Sequence, residues 1–205
     1  MISFMFPNDP NNKEKDLIQP ENAVNDPSEK AKTGEIDDRQ TLTGEAIDEV
    51  LEQPEESITF EEALEIFKQI PGIMVVDDEP LLLRVVARIF GPYVNDRKNI
   101  VTFPGPEEAL AHLGQLPNGS LIVCDNSMNS PIRGLDLAQK IKELASDKNF
   151  AFILHTSDGG HDFDSLLKQG RADGSIDGYI EKPATSTEIL EICGLALKRK
   201  LPKRD

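Results

Sequence analysis

The feature that most constrains this chain lies after Gly72, where short apolar runs alternate with longer amphipathic stretches. Each run is too short for a buried helix and is bounded by polar or glycine punctuation, so it reads as a strand covered on both faces. A helical segment between every two strands forces the strands parallel. The pattern predicts strands at Ile73–Val76, Asn99–Phe103, Ser120–Cys124, Ala151–His155 and Gly178–Ile180. It predicts helices at Leu81–Phe90, Pro106–Leu113, Leu135–Leu144, His161–Gln169 and Ser186–Leu197. In the first helix Leu82, Val85, Val86, Ile89 and Phe90 recur at spacings of three and four, the period of a stripe that faces a core. The expected architecture is an α/β doubly wound five-stranded parallel sheet over residues 71–205, with ligand chemistry at the carboxyl ends of its strands.

Charge separates this region from what precedes it. The 205 residues hold 22 Lys and Arg against 37 Asp and Glu, a net charge of −15. Residues 1–69 carry 6 basic and 18 acidic side chains, and 70–205 carry 16 and 19. Such an excess of negative charge argues against sequence-independent binding to nucleic acid or to an anionic membrane surface. Residues 1–56 have few apolar side chains at any sustained period, so an acidic disordered arm is expected there, with a short helix at Thr43–Gln53. Residues 57–70 are expected to form an amphipathic helix: Thr59 followed by Glu62 fits a capping box, and Leu64, Phe67 and Ile70 form a stripe expected to dock on the chain's own domain. Cys124 and Cys193 have no disulfide or zinc spacing and suit a reducing compartment. No signal-peptide pattern and no long apolar segment is present, and a cytoplasmic location is expected.

The residues just past the strands carry the chemistry. The first strand runs into Asp77-Asp78-Glu79, the third into Asp125, the fourth into Thr156-Ser157 and the fifth into Lys182-Pro183. Three carboxylates converging on one sheet edge repel one another, and a divalent cation with hard oxygen ligands, Mg²⁺ or Mn²⁺, is the natural compensator. Thr156 and Lys182 add a hydrogen-bond donor and a positive charge for a phosphoryl oxygen. Singly, each residue has a plainer reading; Asp78, for example, fits the cap of the helix that begins near Pro80. His155 and His161 have no paired metal spacing and read as packing or surface residues.

Together these segments resemble the receiver domain of two-component response regulators, in its single-domain, chemotaxis-regulator-like form. Ile73-Met74-Val75-Val76-Asp77-Asp78-Glu79 is similar to the first strand with its acidic pair, and Leu121-Ile122-Val123-Cys124-Asp125 to the third strand with the phosphoacceptor. Phe152-Ile153-Leu154-His155-Thr156-Ser157 and Gly178-Tyr179-Ile180-Glu181-Lys182-Pro183 match the fourth and fifth strands, so the resemblance spans about Pro71 to Lys200. It implies a flavodoxin-like strand order 2-1-3-4-5 and a phosphoryl group accepted on Asp125 from a sensor histidine kinase or a histidine phosphotransfer protein. It implies Mg²⁺ held by Asp78, Asp125 and the backbone carbonyl of Ser127, with Asp77 acting through bound water. Lys182 pairs with the carboxylate and then the phosphoryl group, while Thr156 and Tyr179 act as switch residues, and the Lys182-Pro183 bond is cis. The implied output is protein–protein contact, including a phosphorylation-dependent homodimer, through the face made by the last two helices and the fifth strand. The implied catalysis is confined to the protein's own phosphoryl transfer and dephosphorylation.

Three departures qualify the match. Gly134 lies nine residues beyond Asp125 where the family has it at eight, so the intervening loop carries one extra residue. Lys168–Gly178 is long and glycine-rich, and a loose connection ahead of the fifth strand is expected. Ser127 and Asp158, two residues beyond the acceptor and the threonine, occupy positions that in the family tune access of water to the acyl phosphate. Only the fifth helix and a basic tail follow Pro183, so no DNA-binding or enzymatic output domain is expected and the chain reads as a stand-alone receiver. A receiver-like scaffold that works without phosphorylation is the alternative. A metal-dependent phosphohydrolase is a third reading, weakened by Ser127 standing where a general acid would be needed.

Overall fold

The structure, a computed structural model, describes residues 57–201. The arm expected over residues 1–56, the helix within it, and the end of the basic tail lie outside the described residues.

The chain enters through α1, Phe60–Phe67. Its start is the capping box read from the sequence: the Glu62 N–H donates to Thr59 Oγ1 (3.2 Å) and the Thr59 N–H donates to Glu62 Oε2 (2.9 Å). Strands β1 (Ile73–Val76), β2 (Ile100–Phe103), β3 (Leu121–Cys124), β4 (Ala151–Thr156) and β5 (Gly178–Glu181) alternate with α2 (Pro80–Phe90), α3 (Pro106–His112), α4 (Gly134–Leu144) and α5 (His161–Asp173), and α6 (Ser186–Lys200) follows β5. Every predicted strand is present with its ends within one residue. Prolines at the first position of α2 and α3 supply a helical φ where no N–H is needed. The strands are parallel and ordered β2-β1-β3-β4-β5, a flavodoxin-like sheet with helices on both faces.

Side-chain alternation divides the core in two. Val75, Val123, Ile153 and Ile180 face one side and pack under α1, α2 and α6. Met74, Val76, Ile122, Cys124, Phe152 and Leu154 face the other, under α3, α4 and α5. Full burial of such side chains contributes about 1.5–3 kcal/mol each, which is why the central strands contain almost nothing polar until their last residues.

The helix covers Phe60–Phe67 of the 57–70 read from the sequence and packs on the sheet domain, with Leu64 of the expected stripe only half-buried. Ala63, Ile66 and Phe67 are buried, the Phe67 and Phe90 rings lie 5.3 Å apart, and Phe60 meets Tyr93 edge-on at 6.3 Å. Its closest approach is to α6 at Gly194, where a Cβ would come within 2.7 Å of the Ala63 Cβ.

The connection ahead of β5 differs from expectation. Half of the glycine-rich stretch is helix, because α5 continues to Asp173. Gly170 belongs inside it, since the Ile176 side chain fills the space a Cβ would take. Gly174 ends the helix at φ 75°, the left-handed cap that glycine adopts without strain. The turn that follows is tightly bonded: Asp173 Oδ1 accepts from the Ser175 N–H (2.8 Å), and Asp177 Oδ2 accepts from the Phe152 N–H (2.8 Å). Helix α6 also runs past its expected end, and Lys200 in its last turn pairs with Asp177 at 2.9 Å.

Candidate functional site

Register places the site. Val76 of β1 is level with Cys124 of β3, so the next residues, Asp77 and Asp125, emerge side by side. The Asp125 N–H donates to the Val76 carbonyl at 2.8 Å, which carries the ladder one residue past the strand. On the far side the Lys182 N–H donates to the Thr156 carbonyl at 2.9 Å, bringing the fifth strand's end to the fourth. Asp77, Asp125 and Thr156 are buried at the carboxyl edge.

Asp77, Asp78 and Asp125 each present a carboxylate oxygen within 4.8 Å of the others. Lys182 Nζ lies 2.9 Å from Asp77 Oδ2 and 3.1 Å from Asp125 Oδ1. Burial works against its charge, but the hydrogen bond and charge of Asp77, followed by those of Asp125, outweigh it and hold the Lys182 pKa above the ordinary lysine value. Asp77 Oδ1 accepts from the Glu79 N–H (2.9 Å), so both of its oxygens are engaged. Asp78 does not cap α2. Its Oδ2 accepts from the Asn129 N–H at 2.9 Å, and Glu79, the residue before the helix, gives it no side-chain cap.

The loop after Asp125, one residue longer than the family pattern, is closed by a residue that the sequence did not mark. Asn126 is fully buried; its carbonyl accepts from the Gly134 N–H (3.1 Å), its Oδ1 accepts from the Leu135 N–H (3.0 Å), and its Nδ2 donates to Asp158 Oδ2 (2.5 Å). Asp158 also accepts from Ser127 Oγ, at 2.6 Å to Oδ1, and from Arg133 Nη2, at 2.5 Å to Oδ2. Burial would raise the Asp158 pKa, but the bonds from Ser127 and Asn126 and the Arg133 guanidinium hold it below the ordinary carboxylate value. The Asp158 N–H donates to Thr156 Oγ1 at 3.0 Å, which uses the threonine hydroxyl as an acceptor and leaves its proton to be donated. Arg133 was not anticipated; its one signal is its place directly before Gly134, the glycine that closes the loop.

The remaining predicted residues fall outside the carboxylate cluster. Tyr179 is 37% exposed and points outward, with the Arg171 guanidinium 5.6 Å from its ring centre. Cys124 faces the core away from the site, and burial, with the neighbouring Asp125 and Asp77 charges, pushes its thiol well up. His155 is buried in β4; burial and then the Lys182 charge push its pKa down to about 4. His161 is exposed at the start of α5. The Lys182-Pro183 bond is cis. No helix among the described residues is long and apolar enough to cross a membrane.

The comparison with curated proteins returned no match. Among solved structures the chain is similar to a protein described as an adenylate cyclase from Rhodopirellula baltica, at 19% identity and a TM-score of 0.54 over 64% of this chain and 90% of that one. It is similar to a response regulator receiver domain protein from Clostridium thermocellum, at 22% identity and a TM-score of 0.52 over 63% of this chain and 95% of the other. It is also similar to the chemotaxis protein CheY4 of Vibrio cholerae, at 19% identity and a TM-score of 0.50 over 64% and 99%. These likenesses concern the fold. The profile of the response regulator receiver domain matches residues 73–193, more than half of the chain and all five strands, and the chain belongs to that family.

Proposed function

We propose that this protein accepts a phosphoryl group on Asp125 from a histidine kinase or a histidine phosphotransfer protein and signals through protein–protein contacts. The observation that carries the reading is the pairing of the buried Asp125 carboxylate with Lys182 at 3.1 Å, inside a cluster that holds two further carboxylates. In the proposed step an Asp125 oxygen forms a bond to phosphorus as the P–N bond of phosphohistidine breaks. The electron pair of that bond returns to the imidazole, which takes up a proton from solvent. Lys182 then has a phosphoryl oxygen to neutralise in place of part of its carboxylate contact. Thr156, held as an acceptor by the Asp158 N–H, has its hydroxyl proton available for another phosphoryl oxygen.

The donor set suits a small hard cation, because carboxylate oxygens from three residues converge. Asp78, Asp125 and the Ser127 carbonyl would hold Mg²⁺ or Mn²⁺, and Asp77, with both oxygens already engaged, would reach it through water. When bound, the cation supplies positive charge against the phosphoryl oxygens. New charge at Asp125 favours the state in which Thr156 and Lys182 close around it, and Tyr179 on the outer side of β5 is the residue through which the change reaches a partner or a second copy of the chain. Catalysis is then limited to the protein's own phosphoryl gain and loss.

The test is incubation with acetyl phosphate and Mg²⁺ followed by intact-mass measurement. The wild type gains the mass of one phosphoryl group and Asp125→Asn gains none. No gain on the wild type overturns the proposal and leaves the phosphorylation-independent scaffold.

A further inference from the structure

The carboxylate of Asp158 gathers three donors from the segment that follows the acceptor: Asn126 Nδ2, Ser127 Oγ and Arg133 Nη2. These donors surround the acceptor's own backbone. Asn126 and Ser127 follow Asp125 directly, and Arg133 precedes Gly134, which packs so closely on the Asp125 carbonyl oxygen and the Asn126 Cα that no Cβ fits. Asp158 is itself tied to the threonine position by its N–H bond to Thr156 Oγ1. A carboxylate therefore occupies a small anion-binding arrangement that spans the two loops flanking Asp125.

We propose that Asp158 is a resident anion standing in for phosphoryl oxygens, and that Arg133, with Ser127, exchanges from Asp158 to the phosphoryl group once it is on Asp125. This rests on the phosphoacceptor reading above. The three donors differ in their freedom to make such an exchange. Asn126 is fully buried and fixed by three bonds, two of them to the backbone that starts α4, so it stays. Ser127 is exposed, and the Arg133 side chain is 50% exposed on a long stem, so both can turn. The driving force is charge: an aspartyl phosphate brings more than one negative charge and several strong acceptor oxygens, and a guanidinium binds phosphate oxygens at least as well as a carboxylate. Before phosphorylation the same contacts work the other way. With Arg133 and Ser127 committed to Asp158, an incoming phosphodonor finds the Arg133 charge already neutralised. Asp158 is thus a positioning residue that sets when Arg133 becomes available.

The experiment follows the rate of phosphoryl gain from acetyl phosphate and Mg²⁺ by intact mass, each variant first shown to melt cooperatively. In this step an Asp125 oxygen bonds to phosphorus while the P–O bond to the acetyl group breaks and acetate leaves with its electron pair. Asp158→Ala is expected to be labelled about threefold faster than wild type, the scale of a half-exposed ion pair; Asp158→Asn, which keeps the shape, moves in the same direction. In the Arg133→Gln background the Asp158→Ala gain disappears, and Arg133→Lys restores part of it. Simple relief of repulsion between Asp158 and the donor would give the same gain with or without Arg133, and that outcome overturns the exchange, as does a rate unchanged or lowered in both Asp158 variants. A wild type that is never labelled overturns the phosphoacceptor reading itself, whereas a labelled wild type with an Arg133-independent gain overturns the exchange alone.

Discussion

The Lys182 ammonium lies 3.1 Å from the Asp125 carboxylate, and only 16% of the lysine side chain is exposed. The same nitrogen lies 2.9 Å from Asp77, so a single cation separates two buried carboxylates. Lys182→Ala removes it and leaves those charges facing each other and Asp78. Breaking a buried pair from one side costs about 3–5 kcal/mol, and the urea midpoint of this variant is expected to fall on that scale. Millimolar Mg²⁺ recovers part of the loss, and more of it than in the wild type. An unchanged midpoint would show that the carboxylates are relieved by some other means.

Helix α1 contributes Ala63, Ile66 and Phe67 to the same buried cluster as β1 and α6, with Ile58 and Ile70 at its flanks. Deleting residues 1–56 is therefore expected to leave a cooperative thermal melt, because the members of that cluster among the described residues, from Ile58 onward, are all retained. Deleting residues 1–70 exposes the α1-facing side of α6 and loses Ala63 and four larger buried side chains, Ile58, Ile66, Phe67 and Ile70, the larger ones at about 1.5–3 kcal/mol each before compensation from chain entropy. The longer truncation is expected to melt without cooperativity or to be recovered only as aggregate.

His155 gives the domain a predictable acid sensitivity. Its folded pKa is pushed down to about 4, below the ordinary 6.5, so the folded state resists the proton that the unfolded state accepts. Above pH 6.5 the imidazole is neutral in both states and the full stability is present. As pH falls from 6.5 toward 4 the unfolded chain is protonated first and stability declines. Urea titrations across that window are expected to show a smaller slope with pH in His155→Leu than in the wild type; equal slopes would mean that this imidazole is not the group responsible.

Two glycines near the end of α5 are distinguishable by substitution. Gly174 sits at φ 75° with open space around it, so Gly174→Ala costs only backbone strain, about 1–2 kcal/mol. At Gly170 a Cβ would come within 2.5 Å of Ile176 Cδ1, an overpacking that costs about 1–3 kcal/mol. Trimming the opponent with Ile176→Val is expected to rescue Gly170→Ala in part and to leave Gly174→Ala unchanged, as read from denaturation midpoints.

The strands and the acidic edge were legible because both are written in local pattern. A four-residue apolar run such as Ile73–Val76 followed by two aspartates declares a buried strand and its polar end within six residues. Parallel register then brings Asp77 beside Asp125 without further information. What escaped depends on contacts distant in sequence. Arg133 and Asp158 meet across 25 residues through the path of two loops. The plainer reading of Asp78, as a helix cap, could not be dismissed from sequence because the partner of its Oδ2, the Asn129 N–H, is 51 residues away. The length of α5 was missed because glycine reads as a helix breaker, and only the Ile176 side chain packed against Gly170 explains why one belongs there.

The close seating of α1 on α6 turns what would be an edge helix into a middle layer. At Gly194 only the Ala63 methyl separates the two backbones, and α6 packs on the sheet on one side and on α1 on the other. A helix clamped on two sides cannot slide past one of its neighbours alone. A shift of α6, which starts four residues after Lys182, would therefore have to carry α1 with it, and α1 is the first helix after residue 57, where the acidic segment joins.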